Sequence, residues 1–261
     1  MPRDWPTTSA SRSEADQPLW VVSFAEPQPY RRMWEWQRQL WRARWQGEIP
    51  DVLLLLEHDP VITLGRNARR EHVLVSSDEL ARRNTELIAV DRGGDVTYHG
   101  PGQLVGYWIF DLRCWHQDVH RFLRTMEQGI IDTLAELGLA AQRSEGATGV
   151  WVDDAKVAAI GLHLSHWVST HGFAFNLDLD LTPFSWIVPC GLRGRPVTSV
   201  GALRGSGPPR LDIEDMIVRH STKGFGRSPI RKTWEDLESA LAHGQACEGA
   251  AFAKTMGVPC Q

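Results

Sequence analysis

No apolar run in this sequence approaches the roughly 20 residues that a helix needs to cross a bilayer. The first residues, MPRDWPTTSASRSEADQP, hold no apolar stretch of the kind a secretory leader carries, so the protein is expected to work in the cytoplasm and away from membranes. An excess of positive charge is missing too. The formal net charge is -4, and a chain without a basic footprint is a poor general binder of nucleic acid. Cysteine is scarce: Cys114, Cys190, Cys247 and Cys260 form no Cys-x-x-Cys pair and fit neither a zinc knuckle nor a small disulfide scaffold. Internal repeats, a P-loop ending and the glycine spacing of a dinucleotide fingerprint are all absent.

What remains is an ordinary globular composition in 261 residues, enough for one large domain or two small ones and for a buried core. Residues 1–18 are rich in Pro, Ser and charge and read as a loose arm. Strands are expected at Leu19–Phe24, Val52–Leu56, Val61–Leu64, Leu87–Val90 and Leu104–Leu112. A short helix capped by Ser77 is expected to run to Arg83. Tyr30–Gln46 has Met33, Trp36, Leu40 and Ala43 or Arg44 on one helical face, with five arginines against one glutamate. That charge reads first as a solvated face and second as a dock for an acidic partner. Asp118–Leu137 is the clearest helix, with Gly138 as its stop. Gly149–Val152 and Lys156–Leu164 read as a hairpin around Asp153-Asp154-Ala155, and Trp167–Thr170 and Phe173–Leu177 continue the sheet. Beyond about Gly205 the pattern weakens, with helices expected at Leu211–His220 and Thr233–Ala242. Strands and helices mix without regular alternation, which points to an α+β fold, a mixed β-sheet with flanking helices.

Two features could carry chemistry. The stretch Asp91–Gln103 packs four glycines and a proline into thirteen residues, with Arg92, Thr97 and His99 among them. Paired glycines let a backbone approach a ligand closely, although many such loops are only tight connections. Cys190 lies in Ile187-Val188-Pro189-Cys190-Gly191, where Pro and Gly flanks indicate a turn. Most single cysteines are inert core residues, and a reactive one needs a cation or base nearby. Sequence spacing leaves His99, His163, His171 and Lys156 all open as that partner. His116 with His120, and His163 with His166, lack a third ligand at a metal spacing, so no metal site is expected.

Several segments together closely resemble the lipoyl(octanoyl) transferases: LLLLEHDPVITLGRNA (Leu53 to Ala68), RGGDVTYHGPGQLVGY (Arg92 to Tyr107), GVWVDDAKVAAIG (Gly149 to Gly161), THGFAFN (Thr170 to Asn176) and PCG (Pro189 to Gly191). The resemblance covers roughly Leu19 to Gly201. It implies the fold shared by lipoate and biotin protein ligases and a catalytic domain over 19–204; residues 205–261, weakly covered by it, read from their pattern as a helical extension and tail. It further implies that Cys190 carries an acyl thioester and that Lys156 is the acid/base that lowers the thiol pKa. Acyl binding is implied for Arg92, Gly93, Gly94, Asp95, Val96, Thr97, Tyr98 and His99, for Ala159, Ile160 and Gly161, and for Gly172, Phe173 and Ala174. The donor implied is octanoyl-acyl carrier protein. The implied acceptors are lipoyl domains of 2-oxoacid dehydrogenase E2 subunits and the glycine cleavage H protein, with no cofactor. An ATP-dependent lipoate or octanoate ligase on the same fold is the nearest alternative. A catalytically silent binder of acyl chains is the other.

Overall fold

The computed structural model describes residues 17–188 and 195–242. Most of the expected arm, the segment holding Cys190, and the end of the tail lie outside the described residues. The chain opens with β1 (Gln17–Ser23), followed by α1 (Tyr30–Gln46), which ends on Gly47 at φ 79°. A left-handed residue at this position is the usual helix stop, because only glycine adopts it without a Cβ penalty. The buried face of α1 is Tyr30, Met33, Gln37, Leu40, Ala43 and Arg44. Trp36 is only half-buried and packs edge-on against Trp234, while the polar Gln37 takes a core position.

Next come β2 (Asp51–Leu56), buried along its whole length, and β3 (Val61–Leu64). In α2 (Ser77–Arg82) the capping residue is Ser76, not Ser77: the Ser76 side chain accepts from the Glu79 N–H at 3.2 Å. Then β4 (Glu86–Ala89) leads into the glycine-rich stretch, part of which is itself a strand, β5 (Val96–His99). Its alternation sends Val96 and Tyr98 into a small core with Ile62, Leu80, Leu179 and Ile187. After β6 (Gln103–Ile109), α3 (Val119–Glu136) starts on Asp118, whose side chain accepts from the Arg121 N–H.

The second half holds β7 (Ala141–Ser144), β8 (Ala147–Val152), β9 (Ala155–Ser165) and β10 (Val168–Asn176). The hairpin turn is shorter than expected, because Ala155 already pairs with Val152. The two strand pieces expected over 167–177 are one strand, although His171 within it has φ 60°. Last come α4 (Val200–Arg204), α5 (Arg210–Phe225), β11 (Arg227–Arg231) and a helix over 234–242.

The large sheet runs β11-β1-β2-β6-β10-β9-β8-β7, and β4-β3-β5 forms a second, 3-stranded sheet. Pairing of β1 with β11 and with β2 is parallel and the rest of the large sheet is antiparallel, so the expected mixed sheet holds. Residues of α3 and α5 complete the core on one face, and residues of α1 and the helix over 234–242 complete it on the other. The extension expected after residue 204 therefore shares this core: Ile213, Ile217, Val218 and Phe225 of α5 are buried in it, and β11 is an edge strand of the sheet. Among the described residues no helix is long and apolar enough to cross a membrane.

Candidate active site

On the α1 face of the large sheet, strand register brings together short side chains. Ala159 of β9 pairs with Ala174 of β10, which pairs with Val105 of β6; in the adjoining row Gly161, Gly172 and Tyr107 align. Residues two apart on a strand share a face, so Ala159, Gly161, Gly172 and Ala174 form a shallow, almost side-chain-free floor beside Val105 and Tyr107. The glycines are required there: a Cβ on Gly172 would lie 2.1 Å from the Gly106 carbonyl oxygen.

The glycine-rich stretch roofs this floor. Gly93 N–H donates to the Leu162 carbonyl at 2.7 Å, and a Cβ on Gly161 would come within 3.0 Å of the Gly93 oxygen. From behind, Gly65 N–H donates to Asp95 O, Arg66 N–H to Arg92 O and Asn67 N–H to Gly94 O. The Arg92 side chain folds back on β3, with Nη2 donating to the Thr63 carbonyl and hydroxyl at 2.8 Å each. The cleft so formed opens to solvent and holds a cavity of about 60 Å³.

Of the residues named from the sequence, Arg92, Gly93, Gly94, Asp95, Val96, Thr97, His99, Lys156, Ala159, Ile160, Gly161, Gly172, Phe173 and Ala174 border this cleft. Tyr98 does not. Alternation along β5 turns its ring into the small core beside Phe184 and Trp186. Phe173 also packs in the core beneath the sheet. Cys190 lies outside the described residues. Among the histidines open as partners, His99 and His171 line the cleft, and His163 lies in a neighbouring groove.

Lys156 stands at one end. Its Nζ is 4.9 Å from the Trp151 ring centroid, and its backbone N–H donates to Pro196 O at 2.9 Å. Thr198 N–H returns to Lys156 O at 2.9 Å. On the other side of the cleft Asp95 is bonded to His72 Nδ1 at 2.6 Å, and the His72 carbonyl accepts from the Val188 N–H at 2.8 Å. The described residues on both sides of segment 189–194 are thus tied to residues that border the cleft.

The opposite end is aromatic and was not read from the sequence. Tyr30, Tyr107 and His171 line it, backed by His58. Alternation in LVGYWIF placed Val105 and Tyr107 on one face, a signal that was available. The partners Gln28 O and Tyr107 Oη make His58 a donor at Nδ1 and an acceptor at Nε2, at 2.7 and 2.6 Å. Burial pushes the His58 pKa down to about 4 and the Tyr30 hydroxyl up to about 12. Burial, then the neighbouring His58 and Arg92 charges, holds His99 well below its ordinary value. Tyr107 is driven well upward by burial. These groups therefore stay neutral near pH 7. His171 is also lowered by burial, against the pull of Asp91, whose carboxyl is held low chiefly by the His171 hydrogen bond. A neutral, aromatic end and a lysine side chain at the other suit a ligand with an apolar tail and a reacting polar head.

The chain matches the family described as Lipoyl protein ligase A/B catalytic domain over residues 29–222. It is 51% identical over 196 residues to the octanoyltransferase of Solibacter usitatus, covering 75% of this chain and 88% of that one. It is 53% identical over 173 residues to the octanoyltransferase of Gloeobacter violaceus, covering 66% and 75%. A lipoate-protein ligase A solved with bound ATP has the same fold at 18% identity, with a TM-score of 0.71 over 87% of this chain and 93% of that one. The chain belongs to the lipoyl protein ligase A/B catalytic domain family, among its octanoyltransferases.

Proposed function

We propose that this enzyme takes an octanoyl group from octanoyl-acyl carrier protein, holds it as a thioester on Cys190, and passes it to a lysine of a lipoyl domain in the cytoplasm. The acceptors are the lipoyl domains of 2-oxoacid dehydrogenase E2 subunits and the glycine cleavage H protein. The observation that carries this reading is the cleft itself, floored by Ala159, Gly161, Gly172 and Ala174 with Lys156 at one end. A slot without projecting side chains accepts an alkyl chain, and each buried methylene contributes up to about 0.8 kcal/mol. The ties from Asp95 through His72 to Val188, and from Lys156 to Pro196, connect described residues near Cys190 in the chain to residues that border that slot.

In the first half-reaction Lys156 takes the proton of the Cys190 thiol. The thiolate attacks the donor thioester carbonyl, and the carrier thiol leaves with the proton held by Lys156. In the second half the acceptor lysine amine attacks the acyl-enzyme. An amide forms, the amine gives up its proton, and Cys190 is released as a thiol. Thioester to amide is downhill, so neither ATP nor a metal is needed, and two protein substrates meeting one nucleophile in turn give ping-pong kinetics.

Mass spectrometry after mixing with octanoyl-acyl carrier protein tests this. The expected result is a single octanoyl adduct on Cys190, absent from Cys190→Ser, with Lys156→Ala slowed by at least a hundredfold near neutral pH. A wild-type protein without the adduct would overturn the mechanism. Free octanoate with ATP and a lipoyl domain is expected to yield no amide, and amide formation there would favour the ligase alternative.

A further inference from the structure

The floor of the cleft does not stop where the cleft stops. On the same face of β9 and β10, the row after Gly161 and Gly172 is His163 opposite Thr170, about 7 Å further on by strand rise. That row, with Ser165, floors a second groove of about 150 Å³ whose walls include Trp34 and Trp41 of α1. Cleft and groove are thus successive stretches of one sheet surface.

A partition one side-chain pair thick divides them. His171 faces the cleft, Asp91 faces the groove, and His171 Nε2 lies 2.9 Å from Asp91 Oδ1. Trp34 Nε1–H donates to the same oxygen at 3.0 Å, and the Tyr30 hydroxyl lies 3.5 Å from His171 Nδ1. Strand alternation would send residue 171 to the face of Phe173 and Phe175. The chain instead adopts φ 60° there, a region that a histidine enters at a cost. The buried Gln37 Oε1 holds this turn by accepting the His171 N–H at 2.7 Å. A strained backbone, a buried amide and a hydrogen-bonded carboxylate thus act together to keep one imidazole across the end of the slot.

We propose that the His171–Asp91 pair is the end-stop of the acyl cleft and sets the longest chain the enzyme accepts, with the Trp34–Trp41 groove as the space a longer chain enters when the stop is removed. The inference rests on the acyl-transfer reading above and adds its specificity determinant. A chain that ends before His171 leaves the pair intact. A longer one must displace the buried imidazole from its hydrogen bond to the Asp91 carboxylate and from the backbone turn that Gln37 holds.

The test is adduct formation with acyl carrier protein bearing chains of 6 to 14 carbons. Wild-type loading is expected to fall sharply beyond the preferred length. His171→Gly removes the stop and suits a positive φ, so the backbone is spared. Since each methylene that gains a contact changes affinity about fourfold, the ratio of dodecanoyl to octanoyl loading in this variant is expected to rise at least tenfold. Adding His163→Trp, which fills the groove behind the partition, should return the ratio to the wild-type value. His171→Asn, also tolerant of left-handed φ, provides a second opening variant should the glycine fail to fold. A wild type that loads dodecanoyl as fast as octanoyl would overturn the proposal, as would folded opening variants with an unchanged ratio. If the wild type forms no adduct at all, the transfer reading fails instead. Calorimetric binding of free octanoate and dodecanoate to wild type and variants then decides the end-stop by the same ratio.

Discussion

His58 donates from Nδ1 to the Gln28 carbonyl, and burial keeps its ring neutral, so Nε2 accepts the Tyr107 hydroxyl. Burial lowers its pKa from the ordinary 6.5 to about 4. Between those two values the unfolded chain binds a proton that the folded chain does not. Stability from this group is therefore complete above about pH 6.5 and is lost as pH falls toward 4, by roughly 3 kcal/mol. Burial lowers His99 and His171 too, so they add to the same slope. Urea unfolding across pH 4 to 7 should show it, and His58→Gln, with no proton to take up, should flatten the curve by its share. A His58→Gln protein with the wild-type slope would remove the residue from this role. Tyr107→Phe removes only the hydroxyl that His58 accepts, and about 1 to 3 kcal/mol is the expected loss for a buried acceptor left without a partner.

Elements position Lys156 more than any single neighbour does. Gly149 of β8 has φ 136°, and a Cβ there would meet the Ala158 carbonyl oxygen at 2.6 Å and the Lys156 Cε at 3.5 Å. The register between β8 and β9 shifts at Val150 and Trp151, beside Lys156. Glu127 of α3, fully buried, holds this irregular place: Oε1 accepts from Gly149 N–H at 3.0 Å, and Oε2 meets Arg124 at 2.7 Å and Arg143 at 3.0 Å. Glu127→Ala leaves the Gly149 N–H without its acceptor and releases two arginines that already reach solvent, so roughly 1 to 3 kcal/mol of destabilisation is expected in urea unfolding. A loss below about 0.5 kcal/mol would show that the carboxylate contributes little to that hairpin. The helices α1 and α3 were legible because their apolar residues recur at helical spacing, and so were the buried runs of β2 and β3. Other features depend on partners far away in the chain. Gln37 and Glu127 look like surface residues of amphipathic helices until His171 and Gly149 are brought to them. β5 read as loop because its glycine neighbours hid two inward side chains. The glycine-rich stretch stood out by its own composition, but the floor of the cleft was legible only through family resemblance, since the rows Ala159–Ala174–Val105 and Gly161–Gly172–Tyr107 exist only once three strands are in register.

The same logic applies to the whole molecule through the stretch after residue 204. Asp51, 1% exposed at the start of β2, accepts from Arg44 Nε of α1 at 2.8 Å and from Arg227 Nε of β11 at 2.8 Å. Asp111 meets Arg44 at 3.2 Å and Arg113 at 2.7 Å, so one buried ion lattice joins α1, β2, the end of β6 and β11. Two positions before Arg227, Phe225 lies with its ring centroid 4.7 Å from Trp108, 5.1 Å from Phe110 and 5.2 Å from Phe122. Burial of a phenylalanine among such partners is worth about 3 to 5 kcal/mol, and a buried pair broken on one side costs a similar amount. Both losses together, roughly 6 to 10 kcal/mol, are comparable with the whole stability of an average domain, roughly 5 to 15 kcal/mol. A chain cut after residue 204 forfeits both, together with Ile213, Ile217 and Val218 of α5. It is expected to show no cooperative thermal transition, whereas a chain cut after residue 242 keeps one. Arg227→Ala in the full chain isolates the ionic share and should lower stability by about 3 kcal/mol or more, because Asp51 is left buried with one cation fewer. A fragment ending at 204 that melts cooperatively would instead show that strands β1 to β10 and their helices close a core without α5 and β11.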